Sequence, residues 1–191
     1  DVFALHKDVS DQEMANYDNP YSPKRDATRM LTEKELIKRE TDFVTNYFTT
    51  SLWTGSSTAT DLVAGTDFTA WDSPASDILG ILSDQCESIE QKTAKWPTDL
   101  TVNRKGWNAL KNHPDIVARI SGGATAGSPA MVNRNTVAAL MELERINVAS
   151  AIKNTAQEGV TASTSYIVGN HALLSYRTAA PSLMEPSAGY T

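Results

Sequence analysis

A single cysteine, Cys86, stands among 191 residues, which excludes any disulfide within the chain. Its place in an apolar helical pattern makes it a small core residue rather than a reactive thiol. Histidine is nearly as scarce. His6, His113 and His171 lie far apart, and none has a Cys, His or carboxylate at metal-ligand spacing. His113 precedes Pro114 and is expected to cap or pack, while His171 falls beside a turn. No apolar run approaches the ~18 residues of a membrane-spanning helix. Lysines and arginines come in pairs (Lys24–Arg25, Lys38–Arg39, Arg104–Lys105) and never in a long run. With a formal net charge of −6, the chain lacks the basic surface that nucleic acid or an anionic membrane requires. Since it opens at Asp1 without a Met, it is expected to be a fragment, a processed product or part of a longer protein.

Motifs that would carry chemistry are also missing. The loop 121–129, SGGATAGSP, is rich in glycine, but no Lys follows Gly127, and Pro129 takes up the chain instead. A phosphate-cradling loop needs that Lys to reach the phosphates, so no nucleotide site is expected. Ser150 and Lys153 match the nucleophile–base spacing of penicillin-recognising enzymes, but the Ser-Asp-Asn and Lys-Thr-Gly elements that complete such a site are absent. Asp84, Glu87 and Glu90 fall at helical spacing and read as a solvated ridge rather than an acid–base pair. Trp53, Trp71, Trp96 and Trp107 each sit beside a turn or helix boundary and read as anchors for loops. No catalytic residue, cofactor site or metal site is expected.

What the chain does contain is packing. Apolar residues make up 40% and charged residues 21%, an ordinary folded composition. Residues 97–120, PTDLTVNRKGWNALKNHPDIVARI, are the most distinctive stretch. A strand from Asp99 to Val102 meets Asn103, a good helix N-cap. One helix carries Trp107 and Leu110, His113–Pro114 breaks it, and Ile116, Val117 and Ile120 begin another. Upstream, residues 1–25 are polar and irregular but hold Phe3, Leu5, Tyr17 and Tyr21. A helix is expected from Asp26 to about Thr50, with Met30, Ile37 and Val44 on one stripe and Leu36, Phe43 and Tyr47 on a second, which suggests burial on more than one side. Ser73 and Pro74 are expected to start a helix running to about Lys92. Asn135 is expected to cap a helix over 136–144. A strand is expected over 145–149, and a hairpin over 166–177 with its turn at Gly169–Asn170. The sum is an α+β chain.

The order of these pieces carries a resemblance. KRETDF (38–43), WNALKNHPDI (107–116) and INVASAIKNTAQEG (146–159) are its most specific parts. Together with the long helix, the small-residue loop ending in TAWD and the tail PSLMEPSAGYT, they resemble the major capsid protein of tailed bacteriophages, with the Hong Kong 97-type fold. The likeness covers nearly the whole chain.

That resemblance implies an architecture and a role. Residues 1–25 would be the returning half of an extended loop lying over a neighbouring subunit. Residues 26–73 would hold the spine helix of the peripheral domain and the loop after it, 74–150 the axial domain, and 151–191 strands returning to the peripheral domain. The function implied is structural: self-assembly, as hexamers and pentamers, into the icosahedral head that encloses double-stranded DNA without reading its sequence. Scaffold, portal and decoration proteins would be further partners, no membrane would be involved, and the location would be the virion after assembly in the host cytoplasm. Phe3, Leu5, Lys7, Tyr17 and Tyr21 are the expected interface residues. Two alternatives are the shell protein of a bacterial nanocompartment, which shares the fold, and a serine hydrolase using Ser150 and Lys153.

Overall fold

The computed structural model describes residues 4–17, 21–49, 61–122, 132–157 and 159–180. The chain divides into two compact units, the first made of 1–46 and 151–167, the second of 47–150 and 168–191.

The first unit opens with a short helix, α1 (Asp11–Asn16). Ser10 caps it: its hydroxyl accepts from the Glu13 N–H, and the Glu13 carboxylate accepts in return from the Ser10 N–H at 3.1 Å. So the stretch expected to be irregular holds one turn of order, and Ser10-x-x-Glu13 was its signal. The long helix α2 (Pro23–Tyr47) begins three residues before the expected start. Pro23 has its φ already fixed for a first helical turn, and the Asp26 N–H donates to the Ser22 carbonyl at 3.0 Å. At 25 residues the helix is about 37 Å long. Its Thr28, Thr32, Thr41 and Thr45 hydroxyls each donate to the carbonyl four residues back, which draws these side chains onto the helix.

The second unit holds the core. Its helix α3 (Ile78–Thr93) starts at Asp77, not at Ser73. Asp77 accepts from the Gly80 N–H at 2.9 Å, and a Cβ at Gly80 would run into that carboxylate. Ser73 closes a turn instead, its carbonyl accepting from the Ser76 N–H. Strand β1 (Asp99–Asn103) then feeds α4 (Arg104–Asn112) and α5 (Pro114–Ser121). Here the sequence expectation holds closely. Asn103 caps α4 by accepting from the Gly106 N–H at 2.6 Å, and His113 divides the two helices.

Helix α6 (Arg134–Leu140) is capped by Asn133, two residues before the expected cap, through a reciprocal pair with Thr136. It stops four residues short of the expected end. The Leu143 N–H reaches back to the Ala138 carbonyl and the Glu142 N–H to that of Ala139, a Schellman ending with Glu142 left-handed at φ 57°. Strand β2 (Arg145–Ala149) follows as expected.

The expected hairpin over 166–177 does not form. Only Tyr166 of its first half lies in a strand, as the last residue of β4 (Thr164–Tyr166), its second half forms β5 (Ala172–Ser175), and each strand pairs elsewhere. In the first unit, β4 runs antiparallel to β3 (Ile152–Asn154). The Asn154 side-chain oxygen closes that pair by accepting from the N–H groups of Ala156 and Ser163. In the second unit, β5 runs antiparallel to β1, which is parallel to β2 on its other side. The turn at Gly169–Asn170 exists, but the Asn103 side chain holds it by donating to the Gly169 carbonyl and to Asn170.

Central β1 buries Leu100 and Val102 completely. Around them pack Ile78, Leu82 and Cys86 of α3, Trp107 and Leu110 of α4, Ile116 of α5, Val137 of α6 and Ile146 of β2. Burial raises the Cys86 thiol to about 11, so it stays a protonated, inert core group.

Candidate interaction surface

The first unit buries few of its apolar residues. Among the described large apolar residues exposed in the chain, Leu5, Tyr17, Tyr21, Met30, Leu36, Phe43, Ile152 and Val160 belong to it. Among its described hydrophobic residues, Ala27 and Ile167 alone are buried. Of the stripe expected on α2, Ile37 and Val44 are half-buried but Met30 is exposed, and Ala27 and Leu31 are the further residues of the helix that are buried and half-buried. The second row, expected to be covered too, is exposed: Leu36 at 58%, Phe43 at 48% and Tyr47 at 41%. Periodicity marks a row of apolar side chains but not what lies against it.

Of the expected interface residues, Leu5, Lys7, Tyr17 and Tyr21 are exposed. Leu5 and Lys7 lie in a segment without regular structure before α1, Tyr17 is the residue after α1, and Tyr21 precedes α2. Phe3 lies outside the described residues. Ser150 is exposed after β2 and belongs to the second unit, while Lys153 is in β3 of the first. Among the described residues, no group of three His, Cys, Asp or Glu could hold a metal ion. No helix among them is long and apolar enough to cross a membrane.

The tryptophans behave as anchors. Trp107 is in the core, and Trp71 and Trp96 are packed against it. The Trp96 indole N–H donates to the Glu142 carbonyl at 3.0 Å, tying the segment before β1 to the end of α6. Trp53 lies outside the described residues.

One polar cluster escapes the sequence reading. Asp99, at the start of β1, is buried, and the guanidinium groups of Arg145 and Arg177 both engage it. The Asn147 amide and Thr98 hydroxyl donate to it as well. Burial pushes the Asp99 carboxyl up, but these donors and the Arg145 charge outweigh it and hold the group below the usual carboxylate range. The hydrogen bond to Asp99 in turn raises Arg145. The β1–β2 register places Asp99 opposite Arg145, so the cluster is visible only once the strands are paired. It fastens the three strands at one end of the sheet.

No family model matches the chain, and none of the curated proteins matches it. Among solved structures, the chain is similar to a phage-related protein from Bordetella bronchiseptica, at 29% identity and a TM-score of 0.52. The similarity covers 63% of this chain and 38% of that one. The chain is thus an α+β protein that resembles, over part of its length, a protein of phage context.

Proposed function

We propose that this chain is a structural subunit of a tailed-phage head, a major capsid protein with the Hong Kong 97-type fold. Copies of it tile into hexamers and pentamers and close into an icosahedral shell around double-stranded DNA. The observation that carries the reading is the exposed apolar surface of the first unit, with Leu5, Tyr17, Tyr21 and Leu36 in solvent. Large apolar side chains left exposed in one unit suit a surface that another molecule covers, as a contiguous patch of them would. The phage-related neighbour supports the phage context. The acidic balance suits a container that holds DNA without gripping it.

Expression of the full-length protein and electron microscopy of the product test the reading. Closed particles or capsomers of five and six are the expected result. Persistent monomers, even with a scaffold protein supplied, would overturn it.

A further inference from the structure

Helices α3 and α4 each turn an apolar side to the core of the second unit, Leu79, Leu82 and Cys86 from one and Trp107 and Leu110 from the other. Their outer sides follow one spacing. On α4, Arg104, Lys105, Asn108, Lys111 and Asn112 fall at i, i+1, i+4, i+7 and i+8, and all five are exposed. On α3, Ser83, Asp84, Glu87, Glu90 and Gln91 fall at the same five positions and are exposed as well. Residues so spaced share one face of a helix. The α4 face thus carries three cations, two amides and no acid. The α3 face carries three carboxylates and no base, and Lys92, the one basic residue of α3, falls off it.

Neither set of charges is met within the chain. Arg104, Lys105 and Lys111 make no ion pair among the described residues, and neither do Asp84, Glu87 and Glu90. Asp72 shares a cleft with Asn108 and Asn112 but pairs with none of the three cations. A solvated helix face gains from mixing its signs at i and i+4, as α2 does with Lys38 and Asp42. The faces of α3 and α4 forgo that gain.

Charge complementarity names the occupant. From Asp84 to Glu90 is roughly 9 Å along the helix, and from Arg104 to Lys111 roughly 10 Å. Laid side by side in either direction, Asp84 and Glu90 meet cations at the two ends of α4. The middle Glu87 meets Asn108, whose amide donates to it. A duplex phosphate backbone is the other polyanion that would suit α4. Three cations offset few phosphates, however, and a net charge of −6 repels a polyanion at longer range.

We infer that the α4 face of one copy docks on the α3 face of a second copy. The inference rests on the reading that copies of the chain assemble, and it names which surfaces of the second unit meet. Exposed ion pairs contribute little affinity each and are screened by salt. They supply register and partner choice, because a copy set wrongly brings like charges together.

The test reverses each face in the full-length chain. One variant carries Arg104→Glu, Lys105→Glu and Lys111→Glu. A second carries Asp84→Lys, Glu87→Lys and Glu90→Lys. A third carries all six changes and so keeps the net charge of −6. All six side chains are exposed, and circular dichroism checks each fold. Light scattering across a dilution series at low salt reads association. Each triple variant should need at least about tenfold more protein than wild type to associate. The third variant, its faces exchanged but still complementary, should recover. Recovery in oligomers that never close into shells would support the contact while sinking the capsid reading. Wild-type association by both triple variants, or no recovery in the third, would overturn the inference and leave the capsid reading standing. Unchanged association of the α4 variant with loss of its retention on duplex DNA would give that face to phosphate and overturn the inference too. A wild-type chain that stays monomeric would overturn both.

Discussion

In the second unit Leu100, Leu110 and Ile116 are wholly buried around a central strand, whereas in the first the 25-residue α2 buries Ala27 alone. Both units have ample apolar residues, so composition does not separate them. Topology does. Strand β1 has a neighbour on each side and helices against it, so side chains from five elements converge on it. Among its described residues, the first unit has beside α2 only a short helix and a two-stranded ribbon of three-residue strands. A ribbon of that size is marginal alone. The second unit is thus stabilised from within, and the first leaves more of its apolar side chains in solvent.

Truncation in the two units should break this symmetry of composition most plainly. Leu110→Ala removes a fully buried side chain and should cost about 2–5 kcal/mol in denaturant unfolding of the dispersed chain. Leu36→Ala, at 58% exposure, should stay within about 0.5 kcal/mol in the same measurement. Equal losses would show that α2 is as well packed as the core and would remove the contrast.

The same contrast predicts a second divergence, in assembly. Leu36→Ser and Tyr21→Ser should leave the fold of the dispersed chain intact, as read by circular dichroism. Covering a side chain of this size contributes about 1.5–3 kcal/mol, so each change should raise the concentration needed for assembly roughly tenfold or more. Light scattering across a dilution series measures it. Unchanged assembly by both variants would place the covered surface elsewhere.

How far the two units were legible follows from where their signals lie in the chain. The run from β1 through α5 could be read nearly to the residue, because an N-cap at Asn103 and a break at His113–Pro114 act over three or four positions. The halves of the supposed hairpin could not. Tyr166 to Arg177 has a hairpin's pattern, but Tyr166 pairs with Ile152 of β3 and the second half pairs with β1, partners that lie 14 and more residues away. The surface was half legible. Leu5, Tyr17 and Tyr21 stood out as apolar residues in a polar stretch, while the Leu36 row was expected to be buried. The Asp99 cluster left no local trace, since its arginines come from β2 and from beyond β5.

That cluster sharpens the comparison through pH. Asp99 titrates below its ordinary range when folded, so its stabilising contribution is complete above the unfolded carboxylate value of about 4. It is lost as pH falls through the lower folded value. Asp99→Asn should cost about 1–2 kcal/mol at neutral pH, a figure kept small because Arg145 and Arg177 are half-exposed and screened. The gap between the two proteins should close as acid protonates the wild-type carboxylate. A gap constant from neutral pH to well below 4 would mean that the bonds to Asp99 do not depend on its charge.

The smallest effect has the opposite sign and also belongs to the packed unit. Ala94 ends α3 at φ 54° and Glu142 ends α6 at φ 57°, both left-handed without being glycine. In each case backbone bonds fix the conformation: the Ala94 N–H donates to the Glu90 carbonyl at 2.7 Å, and Leu143 and Glu142 close the end of α6. A Cβ in that region costs about 1–2 kcal/mol, and glycine offsets part of its gain by loosening the unfolded chain. Ala94→Gly and Glu142→Gly should therefore each stabilise by about 0.5–1 kcal/mol, read as a higher denaturant midpoint at unchanged slope. The Trp96 bond to Glu142 uses the backbone carbonyl and survives the change. Destabilisation by both would mean that the ends of α3 and α6 are held by their side chains, and the second unit's rigidity would then rest on less than its core.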